Sequence, residues 1–155
     1  MTSSDTAPDA TPTPSPTRTQ RLAAYGIARR DGAVLLVRCS DQSDFPGLWS
    51  LPGGGVDHGE HPLDTVVREF REETGLAVRV VGPPGLHSHA ELLRGGVLHQ
   101  HSVRIVVDVE VTGGTPADEP DGTTDLARWV PAGDVGALPL LPFTREALRL
   151  PGAAR

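Results

Sequence analysis

The sequence predicts a single α+β domain, on three observations. The runs LAAYGIAR and AVLLVRCS flank Arg30-Asp31-Gly32, an Asp-Gly turn of the hairpin kind, so two antiparallel strands are expected there. From Leu63 the pattern becomes helical: Leu63, Val66, Val67 and Phe70 fall on one arc at about 100° per residue. After Gly75 the segments LAVRVV, SVRIVVDVEV and LARWVP return to strand-like sequence. At 155 residues one domain is expected, with ample length for one core.

Composition narrows the classes of function. The chain is 37% hydrophobic and 22% charged, an ordinary globular balance. Its net charge of −6 argues against non-specific nucleic-acid binding, which needs a basic face to neutralise phosphates. No Lys occurs, so every Lys/Arg position is Arg. The single cysteine, Cys39, allows neither an intramolecular disulfide nor a cysteine-based zinc site and is expected as a buried thiol. No apolar run approaches the roughly 20 residues of a membrane span, and Met1 to Gln20 holds no apolar signal core. A cytoplasmic protein without membrane partners is the expectation.

In chain order, residues 1–19 have too little apolar content to repay ordering and read as a disordered tail, leaving residues 20–155 as the domain. After the expected hairpin, DQSDFPGLWS breaks the strand pattern at Pro46 and Gly47 before Trp49 to Leu51 resume a short strand. Phe45 and Trp49 lie close to the glycine-rich Gly53-Gly54-Gly55, so either can stack on a nucleobase or pack into the core. The three glycines permit unusual backbone geometry and close approach of a ligand to the main chain. Pro62 suits a first helical turn, and Asp64 suits the positive end of the helix dipole.

The helix carries a local contradiction. Glu69, Glu72 and Glu73 stand at i, i+3 and i+4, where like charges repel by a few tenths of a kcal/mol per pair. Glu72 and Glu73 also precede Gly75, a helix-ending residue, at the end where basic side chains are preferred. A solvated acidic face is the plain account. A hard divalent cation with oxygen ligands, Mg²⁺ or Mn²⁺, explains the clustering better.

Gly54, Glu60, Arg68, Glu69, Phe70, Glu72, Glu73, Gly75 and Leu76 match without a departure the box that identifies the Nudix family. The flanks resemble the family too, at Leu48, Trp49 and Leu51 to Gly54, and at Arg128 to Pro131. The resemblance implies a Nudix α/β/α sandwich with a mixed β-sheet that hydrolyses a nucleoside diphosphate linked to another group. It implies that the carbonyl of Gly54 joins the metal shell, that Glu60 braces the loop against the helix, and that an acidic loop can supply a further ligand or the general base. Glu119, within Gly113 to Thr124, is the candidate for that role.

Beyond the box, His87-x-His89 and His99-x-His101 each place two rings on one strand face. They could ligate a transition metal, contact substrate through His87 and His101, or be ordinary half-exposed residues of a sheet. Trp129 is expected in the core. A short closing helix is expected around Phe143 to Leu150, where Phe143, Ala147 and Leu150 recur on one face.

The expected reaction is water attack at phosphorus, with Glu72 and Glu73 as principal metal ligands, Glu69 a further ligand or the general base, and Arg68 orienting the carboxylates. The partner is a small nucleotide or nucleoside diphosphate derivative, and a homodimer is compatible with the chain. The resemblance also implies that members acting on ADP-ribose often carry Pro about 15 residues past the box, and those acting on dinucleoside polyphosphates often carry Tyr about 17 or 18 past. Here Glu91, Leu93 and Arg94 occupy those positions, and Leu35-Leu36-Val37-Arg38 is one residue short of the coenzyme A pattern. A nucleoside triphosphate, oxidised or not, is then the leading expectation. The reading of a different class is a non-catalytic Nudix-fold module that binds a nucleotide and regulates something else; such modules usually have an eroded box.

Overall fold

A computed structural model describes residues 14–150. Strand β1, Thr17–Arg30, turns at Asp31 and Gly32, both with positive φ, into β2, Ala33–Cys39. Two positive φ values in a two-residue hairpin loop suit the twist of the flanking strands. The pairing of β1 begins inside the segment expected as a tail, because Thr17 to Gln20 lie in register beside Leu98 to His101. Residues 1–13 of that expected tail lie outside the described residues.

Two short strands follow, β3 at Trp49–Ser50 and β4 at Gly53–Gly55. Next come helix α1, Pro62–Thr74, and β5, Leu76–Val80. Strand β6, Gly85–Leu93, is joined through a 3-10 turn at Arg94–Gly96 to the long β7, Leu98–Gly114. The chain closes with β8, Thr124–Pro131, and two short helices, α2 at Ala132–Val135 and α3 at Pro142–Ala147. The sequence did not show α2, which is too short to display a period. The expected closing helix is present but ends at Ala147.

The sheet is mixed. Strand β1 runs parallel to β7 and antiparallel to β2 and β4, while β5 and β6 pair antiparallel with successive parts of β7. Alternate residues of β1 point to opposite faces, and each face holds a core. Ala24 and Ala28 pack with Val66 and Phe70 of α1 and with Leu76 and Val107. Ala23, Tyr25 and Ile27 pack with Val135 of α2 and Phe143 of α3. Helices on both faces of a mixed sheet give the expected α/β/α sandwich, so α1 is held rigidly against the strands that carry the glycine loop.

Local chemistry sets the bounds of α1. His61 is its N-cap, its ring Nδ1 accepting from the Leu63 N–H at 3.2 Å, and Pro62 opens the first turn. Gly75 ends it in the left-handed region at φ 72°, donating to the Arg71 carbonyl. Val67, expected in the core, is 39% exposed; the inward face uses Thr65, Val66, Phe70, Glu73 and Thr74. Among the described residues no helix is long and apolar enough to cross a membrane.

Candidate active site

The site is built where β4 meets the C-terminal half of α1. A Cβ on Gly54 would lie 2.5 Å from Glu69 Oε1, so only glycine lets the loop backbone and this carboxylate approach so closely. One residue earlier, the Gly53 N–H donates to Glu73 Oε2 at 2.8 Å. Exposure grades across the three glutamates: Glu73 is 3% exposed, the Glu69 side chain 14% and the Glu72 side chain 47%. Glu73, expected with Glu69 and Glu72 on the flank beside the apolar arc, thus belongs to the buried side of the helix.

Arg68 ties the group together. Its guanidinium donates to Glu60 Oε1 at 2.9 Å and Oε2 at 3.0 Å, to Glu69 at 3.0 Å, to Glu72 at 3.2 Å and to the Gly55 carbonyl at 3.2 Å. Glu60 also accepts from the Thr65 hydroxyl at 2.6 Å and the Asp57 N–H at 3.1 Å, linking loop to helix. These donors, Arg68 foremost, hold the Glu60 carboxyl down to about 2. Glu69 and Glu73 shift the other way. Burial raises both, Glu73 strongly, and repulsion from neighbouring carboxylates, Glu119 among them, adds to it.

Glu119 reaches this field from the loop between β7 and β8. The loop is fastened to the helix end, where the Ala117 N–H donates to the Thr74 carbonyl at 2.9 Å, and Thr124 Oγ1 donates to Glu119 at 3.0 Å. The donor set is therefore all oxygen, anionic and partly buried, which suits a hard divalent cation. Among the described residues, however, no three such side chains are gathered to metal-binding distance. Arg68 instead supplies the local positive charge between Glu69 and Glu72. Glu69, Glu72, Glu73 and Glu119 are the carboxylates that would have to draw together to hold such an ion.

A cleft of about 800 Å³ opens on the other side of the sheet, lined among others by Phe45, His87, Arg104, Phe143 and Glu146. Two of the expected substrate residues, Phe45 and His87, come together here. Trp49 is not among the residues that line it; it packs beside the Tyr25 core and pairs through its backbone with Pro139 and Leu141. His101 is also elsewhere. His87 stands beside Arg104 and Ala90 beside His101, so the two histidine pairs project from opposite faces and cannot share one metal ion. His101 lies 2.8 Å from the Ser88 hydroxyl.

Sequence reasoning missed Arg21, Arg104 and Glu146. Arg104 is 7% exposed, with its guanidinium 4.8 Å from the Phe143 ring centre and 3.6 Å from Glu91, while its Nε has no partner. His87 Nδ1 lies 3.5 Å from Glu146 Oε1. Arg21 donates to the Tyr25 hydroxyl at 3.3 Å, and its guanidinium comes within 4 Å of the position a Cβ on Gly55 would take. Tyr25 in turn contacts Phe143, with ring centres 4.6 Å apart, so one chain of side chains joins the cleft to the glycine loop. The available signal was the alternation Ser102, Arg104, Val106, which puts a charge at an inward position of a strand.

The NUDIX domain profile matches residues 18–150. An ADP-ribose pyrophosphatase of Methanocaldococcus jannaschii is 33% identical over 82% of this chain and 69% of its own length. A CTP pyrophosphohydrolase of Escherichia coli is 38% identical over 49% of this chain and 55% of its own. This chain therefore spans only about half of that second relative. A NUDIX hydrolase of Nitrosomonas europaea superposes with a TM-score of 0.71 at 18% identity, covering 84% of this chain and 87% of that one, which speaks to the fold.

Proposed function

The chain belongs to the Nudix family, and from that premise we propose that it is a nucleotide pyrophosphohydrolase, cleaving a phosphoanhydride bond in a nucleoside diphosphate linked to another group. The observation that carries this reading is the pair of buried carboxylates on the glycine loop, Glu73 on the Gly53 N–H and Glu69 against Gly54. A structural helix gains nothing from two raised carboxyls in its core-side turn. An intact and closely packed acidic set also speaks against a purely regulatory binding module.

When bound, Mg²⁺ or Mn²⁺ neutralises charge on the phosphates and on the transition state. The side chains do the rest. Glu73 accepts the Gly53 N–H at Oε2, which leaves Oε1 as the oxygen it would offer an ion. Glu69, pushed up by burial and, less, by Glu72, is suited to act as a further ligand or as the base that accepts the proton of the attacking water. Arg68 fixes the rotamers of Glu69 and Glu72 through its bonds to each. In the cleft, Phe45 is half-buried and offers a stacking face, which suits a nucleobase.

Substrate assignment rests on less. The relatives act, by their names, on ADP-ribose and on CTP, and we place nucleoside triphosphates first because the residues past the box match neither the ADP-ribose nor the dinucleoside pattern. Incubation with Mg²⁺ and a panel of nucleoside triphosphates, ADP-ribose and dinucleoside polyphosphates tests this. Pyrophosphate with a monophosphate is the expected product; no product from any member would leave the regulatory reading standing.

A further inference from the structure

We propose that the outer edge of β6 is a self-association surface, on which a second copy of this chain lays its own β6 antiparallel and continues the sheet. Strand β6 is nine residues long, and among the described residues β7 is its only strand partner. Its other side presents a row of backbone N–H and C=O groups ready to pair with another strand.

Proteins usually blunt such an edge with Pro, Lys, a bulge or a very short strand. Here Gly85–Leu93 contains no Pro, Lys or Arg, its register against β7 is unbroken, and Glu91 is its one carboxylate. Leu86 is 72% exposed and Leu92 61%, both on the face shared with α1, which packs on β1, β4, β5 and β8. Two large apolar side chains at the ends of an open edge are the feature that needs a partner.

The edge is complementary to itself. A two-fold axis through His89 sets Leu86 opposite Leu92 of the second copy, His87 opposite Glu91, and Ser88 opposite Ala90, and each pairing occurs twice. Antiparallel registers centred elsewhere on the strand do not pair the two leucines. Apolar meets apolar, a favourable cross-strand pair, and between the leucines an imidazole meets the Glu91 carboxylate, which also faces Arg104 at 3.6 Å within its own chain. A second copy is thus the occupant the strand itself describes. Because His87 and Glu91 also border the cleft, the second copy would stand at its rim.

The test is made on the full chain, by sedimentation or light scattering over a range of concentrations. A mass rising to twice 16.3 kDa is expected. Leu86→Lys and Leu92→Lys should each return it to the single-chain value without loss of the melting transition. Register is read by cross-linking in a Cys39→Ser background. At position 89 facing residues have Cα atoms about 4.5–5.5 Å apart, within reach of a disulfide, so His89→Cys should oxidise to a covalent dimer. Ser88→Cys faces Ala90 and should remain monomeric on the same gel. A single-chain mass at every concentration overturns the proposal. So does a dimer that survives the lysine substitutions, or one in which position 89 fails to cross-link.

Discussion

The two ends of helix α1 treat a carboxylate in opposite ways. At the start, Glu60 is met by two guanidinium nitrogens, a hydroxyl and a backbone N–H. At the end, Glu73 is buried to 3% exposure with a single backbone N–H from Gly53. The first arrangement lowers the energy of the ionised form, and the second raises it. Glu60 is thus a brace that is complete in the protein alone, whereas Glu73 has the Gly53 N–H as its hydrogen-bond partner and is otherwise enclosed.

The sharpest way to break this comparison is to neutralise each end. Glu73→Gln and Glu72→Gln should each nearly abolish turnover, since a lost anionic ligand removes transition-state stabilisation of order several kcal/mol. The fold should be at least as stable, because one like charge leaves the last helical turn. Activity and melting temperature must move in opposite directions in those two proteins. Glu60→Gln should do the reverse of Glu73→Gln in stability, lowering the melting temperature by several degrees as Arg68 loses its principal partner.

Next in size is Glu119. Its carboxylate is close enough to repel Glu69 and Glu73, yet it sits on a loop and is bonded through Thr124. Glu119→Gln should lower turnover well beyond about tenfold with little change in melting temperature. Wild-type turnover in that variant would make the residue ordinary loop charge. A smaller effect is expected from the metal itself. Millimolar Mg²⁺ should raise the melting temperature of the wild-type protein, because a ligand that binds only the folded chain stabilises it. Glu73→Gln should lose most of that rise, and Glu60→Gln should keep it.

Why one end of the helix was easier to read than the other follows from how local its signals are. Pro62, the glycines and Gly75 state the helix bounds through their own backbone preferences, and the spacing of Glu69, Glu72 and Glu73 states the acidic group. The burial of Glu73 was not legible, because it depends on which side of α1 meets β4. How the two histidine pairs stand to one another was illegible for a related reason. An H-x-H spacing shows that two rings share a face within one strand, but which face that is relative to the next strand depends on the β6–β7 register, set by the length of the connecting turn. Arg104 and Glu146 are far apart in sequence and border one cleft only because α3 packs on the face of the sheet that Arg104 shares.

The smallest expected effect is also the most specific, because it has opposite signs at the two ends. Glu60 titrates at about 2 in the folded protein, below its ordinary value of 4.5. Its contribution to stability is present above 4.5 and is lost as pH falls towards 2. Glu73 is raised well above 4.5, so the stability linked to its protonated form is present below 4.5 and lost as pH rises through its folded value. In chelator, where no cation offsets the repulsion, Glu60→Gln should flatten the acid limb of a stability curve and leave the upper limb alone. Glu73→Gln should flatten the upper limb and leave the acid limb alone. Melting curves of the three proteins across that range decide it, and a Glu73→Gln variant with an unchanged upper limb would mean that this carboxylate ionises without strain in the fold.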